Sequence, residues 1–209
     1  MVWRNPLDIQ FNEKTPNERY HLLVQSVLPR PIAWILTAED SGEVNLAPYS
    51  FFAPVCSAPP TLIVSIGKKS ADTEKDSYRN LCRSGWCVVN IANAEQVDAV
   101  NMSSATLAAG VSETQAFDIA LEPLAEWPLP KVASAPIAFL CRYQQEVALG
   151  AGPQRVVFLE IERMFIDEGV VQEVDGRLQL NSQLINPLAR LGGSEYASLG
   201  ERIVRKRPE

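Results

Sequence analysis

Two long runs, "IAFLCRYQQEVALG" (137–150) and "RVVFLEIERMFI" (155–166), restrict the architecture of this chain more than anything else in it. Their side-chain pattern repeats with a period close to two. Phe139, Cys141 and Tyr143 fall on one face, Leu140, Arg142 and Gln144 on the other, as in strands with unlike faces. The "GAGP" between them (150–153) reads as a hairpin turn. Four shorter apolar runs precede the pair. "PIAWILT" (31–37) and "EVNLAPYSFF" (43–52) flank the turn signal Asp40-Ser41-Gly42, and "TLIVSI" (61–66) follows the loop signal "SAPP". "WCVVNIA" (86–92) is the fourth. Pro48 inside the second run marks an edge, a bulge or a strand end, because its nitrogen cannot donate to a ladder.

Helical signals are few. The Ala-rich "NAEQVDAVNMSSATLAAG" predicts a helix over 94–108, with Gly110 past its end. "FDIALEPLAEWPLPKVASAP" is Pro-rich and is expected to wrap the surface, and Asp175-Gly176 signals one more hairpin. Strands do not alternate regularly with helices, which disfavours a doubly wound sheet. The expected class is mainly β with inserted helices, in the form of a β-barrel.

The 209 residues suit one domain with extensions: an arm over 1–20, a core domain over 21–166, and a C-terminal extension over 167–209. A net charge of −6 argues against nucleic acid as the main partner. The first 20 residues are charged throughout and carry no signal-peptide core, and no run approaches the roughly 18 apolar residues of a membrane helix. Cys56, Cys82, Cys87 and Cys141 form no C-x-x-C pair and read as packing thiols, so a cytoplasmic location without a membrane partner is expected.

His21 is the only histidine, which leaves a Ser-His-Asp triad or a histidine-rich metal site without its parts; no metal site is expected. "GAGP" lacks the third glycine and the helix of a dinucleotide fingerprint. Two stretches remain. "SIGKKSADTEKDSYRN" (65–80) sets hydroxyls, an amide and four cations just past a strand, a donor set suited to phosphate. A solvated loop opening into a short helix fits the same residues. "NLAPYSFF" (45–52) offers aromatic walls and backbone groups interrupted by Pro48, which suit the edge of a planar ring or a water-filled bulge.

Taken in order and spacing, "RPIAWILTAEDSGEVNLAPYSFF", "PPTLIVSIG", "KDSYRN" and "GWCVVNIA" resemble the flavin reductase-like family with the FMN-binding split β-barrel, and "RLGGSEY" (190–196) is similar to a signature of its flavoredoxin-like branch. The resemblance implies an FMN-binding homodimer with NADH or NADPH as electron donor and a protein or small molecule as acceptor. It implies Asn45, Ala47, Pro48, Tyr49, Ser50 and Phe51 along the isoalloxazine and ribityl chain, and Ser65, Ile66 and Gly67 past the ring or phosphate. Lys75, Asp76, Ser77 and Asn80 would hold the phosphate; the family commonly has Thr in place of Ser77, and the hydroxyl survives. Trp34 would neighbour the ring or sit in the core, and Arg190 would join the cofactor site or stay solvated. No catalytic residue is implied, because hydride transfer from nicotinamide C4 to flavin N5 belongs to the cofactors. An electron-transfer module holding FMN for a protein donor would need the same pocket. A split barrel holding haem or pyridoxal phosphate is a third reading, and the single histidine disfavours haem.

Overall fold

The computed structural model describes residues 7–108, 110–150 and 152–208. Seven strands form its main sheet: β1 (Ala33–Ala38), β2 (Val44–Tyr49), β3 (Phe52–Ser57), β4 (Pro60–Ile66), β5 (Trp86–Ile91), β6 (Ile137–Ala148) and β7 (Arg155–Ile166). They pair in the order β2-β1-β5-β6-β7-β4-β3, every neighbour antiparallel. All the strand runs expected from the sequence are therefore present, and the chain is mainly β with few helices. Ala151 of the expected "GAGP" turn and residues 1–6 of the expected arm lie outside the described residues.

The short strands read as unbroken apolar runs because the sheet is covered on both faces. One core cluster takes Trp34, Leu36, Leu46, Val88 and Leu140; the other takes Ala33, Ile35, Tyr49, Leu62, Val64, Ile66, Val89 and Cys141. Alternate residues of β1 thus enter opposite cores, as a period of two requires. The second cluster joins side chains from β2, at one end of the strand order, to β4, near the other. The two edge strands β2 and β3 are connected only by Ser50 and Phe51. Ser65 N donates to the Phe51 carbonyl at 2.8 Å, fixing this connector against β4.

Several expectations need correction. The arm over 1–20 ends inside α1 (Pro16–Ser26), which starts on a capping box between Thr15 and Glu18 with Pro16 in its first turn. The helix expected over 94–108 is a 3₁₀ turn, Ala94–Gln96, followed by α3 (Val97–Met102), and the chain leaves the helix at Ser103. Ser103 Oγ donates to the Val100 carbonyl at 3.0 Å and Ser104 Oγ to the Asn101 carbonyl at 2.6 Å, and such side-chain competition favours that exit. Of the three readings of Pro48, the edge holds and the strand end does not: it pairs with Trp34, pairing continues to Tyr49, and the proline is tolerated because β2 is an edge strand. The Pro-rich segment does more than wrap the surface, since its Ile119, Leu129, Val132 and Ala135 close the first core cluster.

Helix α2 (Asp76–Ser84) follows the short hairpin of Lys68–Ser70 and Thr73–Glu74 and ends at Gly85 in the left-handed region, φ 76°. The hairpin Val171–Val174 with Arg177–Leu180 turns on Asp175 and Gly176, both at positive φ, as expected for Asp-Gly. Further on, a strap of chain pairs Ala189–Arg190 with Arg30–Pro31 and with Tyr196–Ala197. No helix among the described residues is long and apolar enough to cross a membrane.

Candidate functional site

Edge strand β2, the first turn of α2 and the loop after α3 converge on one cleft with two lobes. The first lobe, about 410 Å³ with its open mouth, is lined by Asn45, Ala47 and Tyr49 of β2, by Lys75 and Ser77 at the start of α2, and by residues 103–107. Lys69, Asp76 and Glu113 complete it. The second lobe, of similar volume, lies between Ile32, Pro48, Tyr49 and Ser50 on one side and Ser104, Arg190 and Tyr196 on the other. Tyr49 and Ser104 belong to both.

The start of α2 offers hydrogen-bond donors to the first lobe. Lys75 occupies the N-cap position without a side-chain hydrogen bond to the helix, so the first-turn N–H groups have no such cap. The Lys75 ammonium stands 5.8 Å from the centre of the Tyr49 ring. Asn45 Nδ2 donates to Ser77 Oγ at 2.8 Å, tying β2 to the helix. Asp76 turns away to Arg79 at 2.6 Å, and its other oxygen is 3.4 Å from Lys69 Nζ. Lys69 also donates to the Leu107 carbonyl at 3.2 Å, anchoring the far wall. Burial pushes the Tyr49 phenol up to about 12, so it stays neutral at pH 7, and its buried oxygen has no partner among the described residues.

Glu113, at the start of the short helix Glu113–Ala116, accepts a hydrogen bond from Leu46 N at 2.9 Å. Its carboxylate thereby satisfies an outward N–H of the edge strand. Burial pushes the Glu113 carboxyl above its ordinary value of 4.5; the Leu46 N–H opposes that shift, Asp76 adds to it and Lys69 opposes it. A carboxyl held this way binds its proton more tightly folded than unfolded. Its stabilisation is complete below about pH 4.5 and is lost as pH rises through the Glu113 titration. The Glu113→Gln variant keeps an acceptor for Leu46 and should melt with a flatter pH profile over that window. An unchanged slope in thermal melts would refute the assignment.

The expected site residues divide into four groups. Asn45, Ala47, Tyr49, Lys75, Asp76 and Ser77 meet in the first lobe, while Pro48, Ser50 and Arg190 line the second. Trp34 and Asn80 are wholly buried beneath the cleft: Trp34 Nε1 donates to Ser103 Oγ at 2.9 Å, and Asn80 Nδ2 reaches Thr37 Oγ1 at 3.4 Å. Phe51, Ser65, Ile66 and Gly67 line neither lobe. Ile66 packs in the second core cluster, and a Cβ on Gly67 would lie 2.6 Å from Gln154 Oε1. Sequence reasoning missed Ser103–Leu107 and Glu113. The "SSAT" run after an apolar helix was a readable break signal. Nothing local marked Glu113, which meets its partner 67 residues away. No group of three or more metal-ligating side chains occurs among the described residues.

Comparison with known proteins accords with this geometry. An uncharacterised protein of Halalkalibacterium halodurans is 32% identical over 201 residues, 91% of each chain. Nitrilotriacetate monooxygenase component B from Bacillus cereus superposes with a TM-score of 0.88 at 29% identity, over 97% of this chain and 100% of that one. Pseudomonas fluorescens 2-nitrobenzoate 2-nitroreductase follows at 0.86 and 26%, over 97% and 96%. The flavin reductase like domain family matches residues 25–184, most of the chain, and the chain belongs to that family.

Proposed function

We propose that the cleft holds FMN and that the protein is an NAD(P)H-dependent flavin oxidoreductase. One observation carries the reading: a helix start lacking a side-chain cap, flanked by Lys75, Lys69 and Ser77, shares one lobe with Asn45, Ala47 and Tyr49 of the edge strand β2. The donor set fits a phosphorylated planar ligand. First-turn N–H groups, a hydroxyl and two ammonium groups suit a phosphate. The unpartnered Tyr49 hydroxyl and the strand's edge suit a polar chain and ring. Lys75, Ser77 and the first turn of α2 hold the phosphate, Asn45 orients Ser77, and Ala47 and Tyr49 line the ring and ribityl chain. Bound FMN supplies the redox chemistry, accepting hydride from a reduced nicotinamide. The chain's own work is to bind, to orient and to leave one face of the cleft open. The names of the relatives, a nitroreductase and a monooxygenase component, agree with a flavin-linked oxidoreductase.

The same reading makes the seven-stranded sheet a split β-barrel, its split lying between β2 and β3. It also makes the protein a cytoplasmic homodimer, whose contact includes the exposed Phe51 and Val55. Sedimentation at micromolar concentration should give a dimer; a monomer would remove that part of the reading.

Titration of the apoprotein should reach one FMN per chain. Lys75→Ala should weaken the affinity at least tenfold, since a hydrogen bond to a charged group contributes about 1.5–3 kcal/mol. A protein that is purified colourless and takes up no added FMN would overturn the proposal. Steady-state oxidation of NADH or NADPH then separates an enzyme from an electron-transfer module, which would bind FMN without turning over either nucleotide.

A further inference from the structure

The strap that closes the second lobe carries a cation without a counterion. The Arg190 guanidinium stacks on the Tyr196 ring, 4.4 Å from its centre, and its Nη2 donates to the Gly193 carbonyl. Its Nη1 is buried and has no partner, and no carboxylate among the described residues lies within ion-pair distance of it. Arg19 Nε is likewise buried without a partner but lines neither lobe, whereas Arg155 and Arg30 are used internally. Arg155 forms two bonds to Glu74, at 2.7 and 2.8 Å, and Arg30 donates to three backbone carbonyls. A buried, unpaired donor on a fixed cation is unfavourable unless something accepts from it.

The surroundings define what that acceptor can be. Tyr196 holds the guanidinium plane, and the Tyr196 hydroxyl is itself held by Asn101 at 3.2 Å. Ladder pairing with Arg30 on one side and Tyr196 on the other fixes the backbone. The rest of the lobe is Ile32, Pro48, Tyr49, Ser50 and Ser104, the last with its hydroxyl donating to the Asn101 carbonyl at 2.6 Å. A flat apolar body against Pro48 and Tyr49, bearing one anionic group, uses all of these features. Because Tyr49 and Ser104 also line the first lobe, such a molecule would lie directly against whatever occupies the flavin lobe.

We propose that the second lobe is the subsite for the oxidoreductase's second substrate, and that it selects an aromatic carboxylate, with Arg190 Nη1 and the Ser50 hydroxyl donating to the carboxylate. This assignment rests on the flavin reading of the first lobe and gives Arg190 to the substrate rather than to the cofactor.

Calorimetric titration of the full chain with benzoate, beside benzamide as the neutral isostere, tests it without any turnover measurement. Benzoate should bind at least tenfold more tightly than benzamide. Arg190→Gln should remove that preference while leaving the FMN dissociation constant within twofold of the wild type. Arg190→Lys, which keeps the charge but not the planar fork, should recover part of the preference and guards against a folding defect in the first variant. Equal binding of benzoate and benzamide, or no saturable binding of either, overturns the subsite while the flavin reading stands on its own titration. Loss of FMN affinity in Arg190→Gln assigns the arginine to the cofactor and also overturns it. Weakened NADPH binding with benzoate unaffected gives the anion site to the nucleotide, and the subsite falls in that case too. If FMN itself fails to bind, the flavin reading falls, and the benzoate preference of the apoprotein still decides the role of Arg190.

Discussion

Trp34→Ala should lower stability by about 3–5 kcal/mol, the range for removing a large aromatic side chain from a packed interior. Trp34 is wholly buried in the first core cluster, among Leu36, Leu46, Val88 and Leu140. The urea midpoint should fall with the slope of the transition unchanged. A loss below about 1 kcal/mol would show that the ring is not packed as described. Trp34→Phe isolates the second task of the residue. It keeps most of the packing but deletes the indole N–H that holds Ser103, whose hydroxyl in turn donates to the Val100 carbonyl at 3.0 Å. That variant should lose about 1 kcal/mol and weaken FMN severalfold, because the wall at 103–107 hangs from this bond. An affinity equal to wild type would separate the core from the cleft.

Arg30→Met should be nearly as damaging, by roughly 2–4 kcal/mol, because several hydrogen bonds from one buried charge disappear together. Arg30 donates to the Val24 carbonyl, to Val27 O at 2.9 Å and to Leu191 O at 2.8 Å, and its Nε lies 3.5 Å from Ser50 Oγ. One side chain thus joins the end of α1, the strap carrying Arg190, and the connector between the two edge strands. Limited proteolysis should cut the variant first near residues 27–29 and 191–195, whereas a general loss of stability would expose the whole chain at once. An unaltered digest and melting curve would refute the clamp.

Strands were legible because burial on both faces leaves continuous apolar runs that no helix pattern imitates, and because the β6–β7 hairpin keeps its period of two. Helices were less so: the Ala-rich run hid the exit at Ser103, and the capping box at Thr15 was passed over within a polar segment. Both halves of the cleft were visible as unusual polar insertions beside apolar runs, and Asn45 bonds Ser77 across 32 residues. Ser65, Ile66 and Gly67 line neither lobe. Spacing identifies a segment, whereas strand alternation decides which side chains face inward, and Ile66 faces the core. Glu113 and the 103–107 wall depend on tertiary contacts that carry no local pattern.

The strand order also sets when the molecule can come together. In the first 130 residues, β1, β2 and β5 can pair with one another and β3 can pair with β4, but nothing pairs these two sets. Only the β6–β7 hairpin joins them, with β6 laid along β5 and β7 along β4. A chain emerging from the ribosome therefore holds two separate patches of sheet until residue 166 is available. Such late, long-range pairing makes folding slow, and premature release before that residue would leave the open edges of β4 and β5 as templates for aggregation.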